Sequence, residues 1–233
     1  MRMAIALILL LTQAETAFDP APRKKEYPWM SVAVWTQMHE GFLKRAKEGK
    51  IDLLFLGDSI TQGWGNNAVW QKQYGPLNAV NFGIGGDTTE NVLWRILNGE
   101  IDGISPKVTV LMIGTNNFGL EGHQPPDVAK GITTIVQTLR KKLPLTKILL
   151  LGIFPRDEKP NTDARKKIQK VNEQIAALDD KKSVRYLDIG AKFTGPDGTI
   201  SKEIMPDFLH LSEQGYQIWA DAMGPLLKQL MGK

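Results

Sequence analysis

A short apolar run that ends in a glycine constrains this chain most. Residues 53–56 read LLFL and are followed at once by Gly57, Asp58 and Ser59. Such a run is typical of a parallel strand that is buried on both faces. Because ligands of open α/β sheets bind at the carboxyl ends of the strands, Ser59 lies where a functional site is expected.

The rest of the chain repeats this pattern, with apolar strand segments that alternate with amphipathic helical segments. The predicted strands are residues 52–56, 78–82, 107–113, 147–154 and 184–189. The main predicted helices are 32–47, 127–142, 162–178 and 211–230, together with one that Thr88 and Thr89 can cap and that runs through residues 92–97. This alternation favours right-handed crossovers and one parallel sheet covered on both faces. We therefore expect a three-layer α/β/α sandwich with five strands.

Composition predicts one domain. The chain has 233 residues, of which 42% are hydrophobic and 23% charged, enough for one full core. We expect the main domain over residues 51–233, with an extended tether and a helix, residues 18–50, packed on it. The net charge of +4 is scattered over predicted helices and linkers, which argues against a nucleic-acid-binding face.

The first residues differ from the rest in composition. A basic start is followed by an apolar block at residues 4–11 and then by small residues. This pattern predicts a secretory signal peptide over residues 1–17, cleaved after Ala14 or near Ala17, and hence a secreted or periplasmic protein without a stable membrane span. An uncleaved N-terminal anchor is the alternative. The absence of cysteine agrees with export without proving it.

Serine chemistry needs a base and an oxyanion-binding group, and other predicted loops offer both. Asp207 and His210 are three residues apart just before the last helix, so the carboxylate can orient the imidazole as a base for Ser59. The backbone N–H groups of Ser59 and Gly86 and the side-chain amide of Asn116 lie at predicted strand ends and can form an oxyanion hole. Each motif alone is compatible with a simple turn or cap; their co-occurrence favours a catalytic triad.

Four motifs, in order, resemble the blocks of the SGNH (GDSL-type) hydrolases. They are GDSIT at 57–61, NFGIGGDTTENVLWRI at 81–96, GTNN at 114–117 and DFLH at 207–210. The second and third look most like the branch that contains the catalytic subunits of platelet-activating factor acetylhydrolase. The resemblance implies a flavodoxin-like sheet of order 2-1-3-4-5, the triad Ser59, Asp207 and His210, and the oxyanion hole Ser59, Gly86 and Asn116. Asn117 departs from the aspartate of many members but fits this branch.

Other enzyme classes fit less well. A nucleophile elbow needs glycine where Thr61 stands, and a dinucleotide fingerprint lacks its third glycine, where Thr88 stands. We find no set of metal ligands and expect no cofactor. His39 and His123 are expected to be solvated. A secreted binding module with an idle triad is the non-enzymatic alternative.

The expected reaction is the hydrolysis of short acyl esters, with small esters or acetylated carbohydrates as substrates. A lysophospholipase or lipid acetylhydrolase is the alternative, and assembly as a homodimer stays open. Four aromatic residues are expected near the mouth of the site, where they could contact substrate or simply pack. These are Trp64, Trp70, Phe118 and Phe154.

Overall fold

The computed structural model describes residues 16–232, which form a five-stranded sheet with helices on both faces. All strands are parallel, and their order is β2-β1-β3-β4-β5, which confirms the expected sandwich and strand order. The strands are β1 Leu53–Gly57, β2 Ala79–Gly83, β3 Val108–Met112, β4 Lys147–Leu151 and β5 Val184–Leu187.

The central strand β1 is buried along its whole length. Gly57, its last residue, pairs with Gly83 of β2 and Met112 of β3, so these three strands end level with one another. A Cβ at Gly57 would lie 2.4 Å from the Met112 carbonyl oxygen, which explains why a glycine ends the strand. The residues that follow β1, β2 and β3 therefore meet at one edge.

Eight α-helices accompany the strands within residues 16–232. They are α1 Val32–Lys47, α2 Ser59–Gln62, α3 Ala68–Gln73, α4 Thr89–Leu97, α5 Thr115–Gly119, α6 Pro125–Lys142, α7 Asp163–Ile175 and α8 Glu213–Met231. Leu54 and Leu56 of β1 belong to one hydrophobic cluster with α4, α6 and α7, and Leu53 and Phe55 to another with α3 and α8. Alternate strand residues thus build the two cores.

The segment before α1 packs against the sandwich. The backbone N–H of Ala21 donates to the carbonyl of Glu90 in α4, and Arg23 is buried. Ala17 is fully buried, and its carbonyl accepts a hydrogen bond of 2.5 Å from Thr89 Oγ1. Apart from Thr16 and Ala17, the predicted signal peptide lies outside the described residues. No helix within residues 16–232 combines the length and apolarity needed to cross a bilayer.

Candidate active site

Ser59 is the first residue of α2 and lies directly beyond the end of β1. Asp58 caps this helix: its Oδ1 accepts a hydrogen bond from the Ile60 backbone N–H at 3.0 Å. The short strand-to-helix turn presents the Ser59 hydroxyl at the sheet edge, where its Oγ lies 2.8 Å from Nε2 of His210. A serine hydroxyl and an imidazole nitrogen therefore meet at hydrogen-bond distance, although 151 positions separate them.

His210 is oriented by Asp207 from the same turn. Asp207 Oδ2 lies 2.6 Å from Nδ1 of His210, and its Oδ1 accepts the backbone N–H of His210 at 2.7 Å. With Nδ1–H donating to the carboxylate, Nε2 is left to accept the Ser59 proton. Partial burial opposes ionisation of Asp207, but the hydrogen bonds from His210 lower the pKa of this carboxyl below its usual value. The carboxylate is thus kept charged beside the imidazole.

Gly86 and Asn116, which are expected to form an oxyanion hole with the Ser59 N–H, line the same cavity as Ser59 and His210. Gly86 follows β2 with φ of +75°, and a Cβ there would lie 2.3 Å from the ring of Trp29. Asn116 lies in the first turn of α5, where its Nδ2 donates to the Asp87 carbonyl at 2.9 Å. The second Nδ2 hydrogen remains to act as a neutral donor.

The cavity has a volume of about 440 Å³ and a mixed lining. Gln62 fixes part of it, because its Oε1 accepts the Gly85 backbone N–H at 2.7 Å. Besides Gln62 and the residues already placed there, the lining comprises Trp29, Met30, Gly85, Gly119, Leu120, Arg156 and Leu209. Among the described residues of this lining, Arg156 is the one lysine or arginine, and Met30, Leu120 and Leu209 contribute apolar side chains.

A model of the GDSL-like lipase/acylhydrolase family matches residues 55–218, which is most of the chain and includes Ser59 and His210. The chain belongs to this GDSL-like family. Among relatives, the platelet-activating factor acetylhydrolase IB subunit alpha1 of Bos taurus is 39% identical over 217 residues, covering 91% of this chain and 92% of the relative. The alpha2 subunit of Gallus gallus is 42% identical over 198 residues, covering 84% and 85%.

Solved structures show the same GDSL-type fold. A protein from Streptococcus pneumonia, described as a platelet activating factor, superposes with a TM-score of 0.73 at 26% identity, over 82% of this chain and 92% of that one. The acetyl xylan esterase AlAXEase superposes with a TM-score of 0.65 at 22% identity, over 76% of this chain and all of that one. At that identity the second match speaks for the fold alone.

The aromatic residues expected at the mouth of this GDSL-type site are elsewhere. Trp64 and Phe154 are almost fully buried in the cluster under α8, and Trp70 packs with them. Phe118 packs partly buried against the opposite cluster. Of the two roles left open for these four residues, the structure supports packing, since none of them lines the cavity that holds Ser59 and His210. Instead Trp29 and Met30, which precede the family match, line the cavity.

The remaining histidines are not solvated as expected. His39 lies on the buried face of α1, with Nδ1 3.5 Å from Oε1 of Glu100. His123 is half-buried, and its Nδ1 lies 3.0 Å from Nδ2 of Asn117. His39 is buried because its ring packs against Trp94 of α4 and lies beside Glu100, and His123 loses part of its exposure beside Asn117.

A buried ionic cluster lies behind Gly86 and was not predicted. Asp87 Oδ2 accepts from Nε of Arg95 at 2.8 Å, and its Oδ1 accepts from Nη2 of Arg23 at 3.0 Å and Nε1 of Trp35 at 2.7 Å. Arg95 also pairs with Glu100. Burial alone disfavours the charged form of Arg95, but the Glu100 and Asp87 carboxylates raise its pKa. The cluster fixes the loop that carries Gly86.

Asp58, the neighbour of Ser59, is also fully buried. Its Oδ1 caps α2, while no donor within residues 16–232 reaches its Oδ2. Burial raises the pKa of Asp58 to about 7. The helix that begins at Ser59 is therefore capped by a carboxyl that titrates near neutrality.

Proposed function

We propose that this chain is a serine esterase that hydrolyses short-chain, acetyl-type carboxylic esters. The observation that carries the proposal is the 2.8 Å contact between Ser59 Oγ and His210 Nε2, with Asp207 held 2.6 Å from the other ring nitrogen. Hydrogen-bond contact of a hydroxyl with an oriented base is what a serine needs to become a nucleophile. Membership of an acylhydrolase family supports the same reaction class.

In the proposed reaction, Ser59 Oγ attacks the ester carbonyl while His210 Nε2 takes its proton. The negative oxygen of the tetrahedral intermediate accepts from the N–H groups of Ser59 and Gly86 and from the Asn116 amide. His210 returns the proton to the departing alcohol, which leaves an acyl-serine. His210 then deprotonates a water molecule, whose oxygen attacks the acyl-serine carbonyl. As the carboxylic acid leaves, His210 returns the proton to Ser59 Oγ, and Asp207 stabilises the imidazolium in both steps.

Substitution of the nucleophile tests this proposal. Ser59→Ala should lower kcat/KM for p-nitrophenyl acetate by at least about 10⁴-fold, because no other group can form the acyl intermediate. Ser105→Ala, which removes an exposed hydroxyl before β3, at the opposite end of the strands from Ser59, is the matched control. An organophosphonate probe should label the unmodified protein at Ser59. An alanine variant that keeps most of its activity would refute Ser59 as the nucleophile, whereas an unlabelled Ser59 would favour the non-catalytic binding module.

The size of the cavity supports a short acyl group. Its volume of about 440 Å³ must hold both sides of the ester, and this is near the lower end of the range for small-molecule sites. We expect kcat/KM to fall steeply from acetyl to octanoyl p-nitrophenyl esters. Faster turnover of the octanoyl ester would refute the acetyl preference and favour a lipase.

A lipid acetylhydrolase is the second candidate, and two observations favour it over a carbohydrate esterase. Relatives at about 40% identity carry the name platelet-activating factor acetylhydrolase, and Arg156 places a positive charge in the cavity that suits the phosphate of a phospholipid. Comparing acetate release from an acetylated phospholipid and an acetylated xylooligosaccharide separates the two. A higher kcat/KM on the sugar would remove the lipid candidate.

Export is part of the proposal and needs its own test. If residues 1–14 are removed after Ala14, the folded protein keeps the buried Ala17 carbonyl and its bond from Thr89, whereas cleavage after Ala17 loses both. We therefore place the cleavage after Ala14. Mass spectrometry of the protein recovered from the medium or periplasm should show an N-terminus at Glu15; an intact Met1 would contradict cleavage.

A further inference from the structure

One peptide unit carries both an anchored carbonyl and a free amide beside Ser59. The unit that joins Gly85 to Gly86 contains the Gly85 carbonyl and the Gly86 N–H. A trans peptide is planar, so its C=O and N–H point in opposite directions. Whatever holds the Gly85 oxygen on one side therefore aims the Gly86 hydrogen at the other. Within residues 16–232, no group accepts a hydrogen bond from this N–H.

Arg23 holds that carbonyl. Its Nη2 donates to the Gly85 oxygen at 2.8 Å and to Asp87 Oδ1 at 3.0 Å, so a single nitrogen contacts the residues on both sides of Gly86. The side chain is 2% exposed and comes from the segment before α1, 62 positions away from Gly85 and outside residues 55–218.

The peptide needs such an anchor because of its two glycines. With φ of +75° and no Cβ, Gly86 has many accessible backbone conformations, in some of which the peptide plane is reversed. The neighbouring units are already fixed, since Gln62 accepts the Gly85 N–H and the Asp87 N–H donates to the Ile84 carbonyl. Among the residues that the structure describes, Arg23 alone holds the unit between them by its carbonyl.

We propose that Arg23 is a positioning residue that orients and polarises the Gly86 N–H as an oxyanion donor. The inference rests on the proposed esterase function. A charged donor on the Gly85 oxygen draws electron density from the amide, which strengthens the N–H opposite it as a donor. Arg23 thus acts on the transition state through the peptide and does not touch the ester.

The simpler role for Arg23 is to neutralise Asp87. Asp87 has other partners for this, because Arg95 pairs with its Oδ2 and Trp35 donates to the same Oδ1 that Arg23 contacts. Trp35→Phe removes one hydrogen bond to Asp87 but leaves the Gly85 carbonyl untouched. It is therefore the matched control for a substitution at Arg23.

The test compares kcat and KM for p-nitrophenyl acetate in Arg23→Met, Arg23→Lys and Trp35→Phe, each well below its own Tm. We expect Arg23→Met to lower kcat about 100-fold, as loss of an oxyanion donor does, with KM within about twofold. Arg23→Lys should recover about tenfold of this loss, because the ammonium can still donate to the Gly85 oxygen. Trp35→Phe should keep kcat within about threefold.

A second measurement reports the peptide itself. When an acetyl-sized trifluoromethyl ketone adds to Ser59, the amide proton of Gly86 should shift downfield in the unsubstituted protein and shift less in Arg23→Lys. Because Arg23→Lys keeps the positive charge, this measurement tests the proposal even if Arg23→Met does not fold.

Two outcomes would overturn the assignment. One is equal kcat values in Arg23→Met and Trp35→Phe; the other is a downfield shift of the Gly86 amide proton in Arg23→Lys as large as that in the unsubstituted protein. If Ser59→Ala is inactive while the Arg23 variants retain full kcat, only this inference fails. If Ser59→Ala is active, the proposed function fails as well.

Discussion

The two halves of the proposed site, one for proton transfer and one for binding the oxyanion, are held in opposite ways. The proton-transfer half, Asp207 and His210, lies in a surface turn with side chains 55% and 45% exposed, and its bonds join residues two or three positions apart. The oxyanion half rests on Asp87, which is fully buried and bonded to residues from α1, α4 and the N-terminal segment. The contacts of the first half are local in sequence and exposed to solvent, whereas those of the second half join distant residues and are buried.

The difference fits what each half has to do. A base must exchange its proton with water and a departing alcohol, so access to solvent is useful. Oxyanion donors must point at a charge before it develops, and a buried framework holds them there without reorganisation. We therefore expect changes in the exposed half to alter the rate but not the stability, and changes in the buried half to alter stability first.

The largest expected effect is on the rate, in Asp207→Asn. An amide would donate to His210 Nδ1 and leave the proton on Nε2, where it blocks transfer from Ser59, so kcat should fall about 10⁴-fold. Because the side chain is exposed, the free energy of unfolding should change by less than about 1 kcal/mol. Asp197→Asn, in another exposed turn, is the control. A coupled loss of stability would break the contrast between the halves.

The next effect is on stability, in Arg95→Met. This change leaves Asp87 and Glu100 buried with fewer partners, and breaking such a pair costs about 4 kcal/mol. Urea unfolding followed by circular dichroism measures it. A loss below about 1 kcal/mol would show that the buried cluster does not stabilise the oxyanion side.

The third effect is a pH dependence that comes from Asp58, beside the nucleophile. Its pKa is raised to about 7 in the folded protein, against about 3.9 unfolded. The folded state therefore holds the proton more tightly, so this stability is complete below the unfolded pKa and is lost as pH rises through the folded one. From about pH 5 to pH 8 the loss should be about 3 kcal/mol.

The Asp58→Asn side chain keeps the oxygen that accepts from the Ile60 N–H, but it cannot ionise. The variant should therefore lack the part of the pH-dependent loss of stability that comes from Asp58. Unfolding midpoints in urea at both pH values, for both proteins, check this. A variant with the same pH dependence as the parent would mean that another group is responsible.

The same division decides what could be predicted from the sequence. The strands, their alternation with helices and the placement of Ser59, Gly86 and Asn116 follow from local patterns, because carboxyl ends of parallel strands share one edge. Asp207 and His210 are neighbours in one turn, so their pairing is also local. All of the exposed half is therefore visible in the sequence.

The supporting shell of the buried half was not predictable in this way. Arg23 and Trp29 reach Gly86 only because the segment before α1 returns across the sheet edge, and no spacing rule connects positions so far apart. Trp64 and Trp29 are the same residue type and both lie outside the predicted helices and strands, so only tertiary packing decides that one is buried and the other 55% exposed.

The smallest expected effect is on stability, in Lys142→Met, and it tests whether burial or the distance between the charges determines how much an ion pair stabilises the fold. Lys142 Nζ lies 2.8 Å from Asp102 Oδ1, the same distance that separates Arg95 from Asp87, but these side chains are 26% and 62% exposed. Solvent screens this pair, so Lys142→Met should change the free energy of unfolding by less than about 0.5 kcal/mol in the same urea experiment. A loss equal to that of Arg95→Met would mean that ion-pair distance, and not burial, stabilises the oxyanion side.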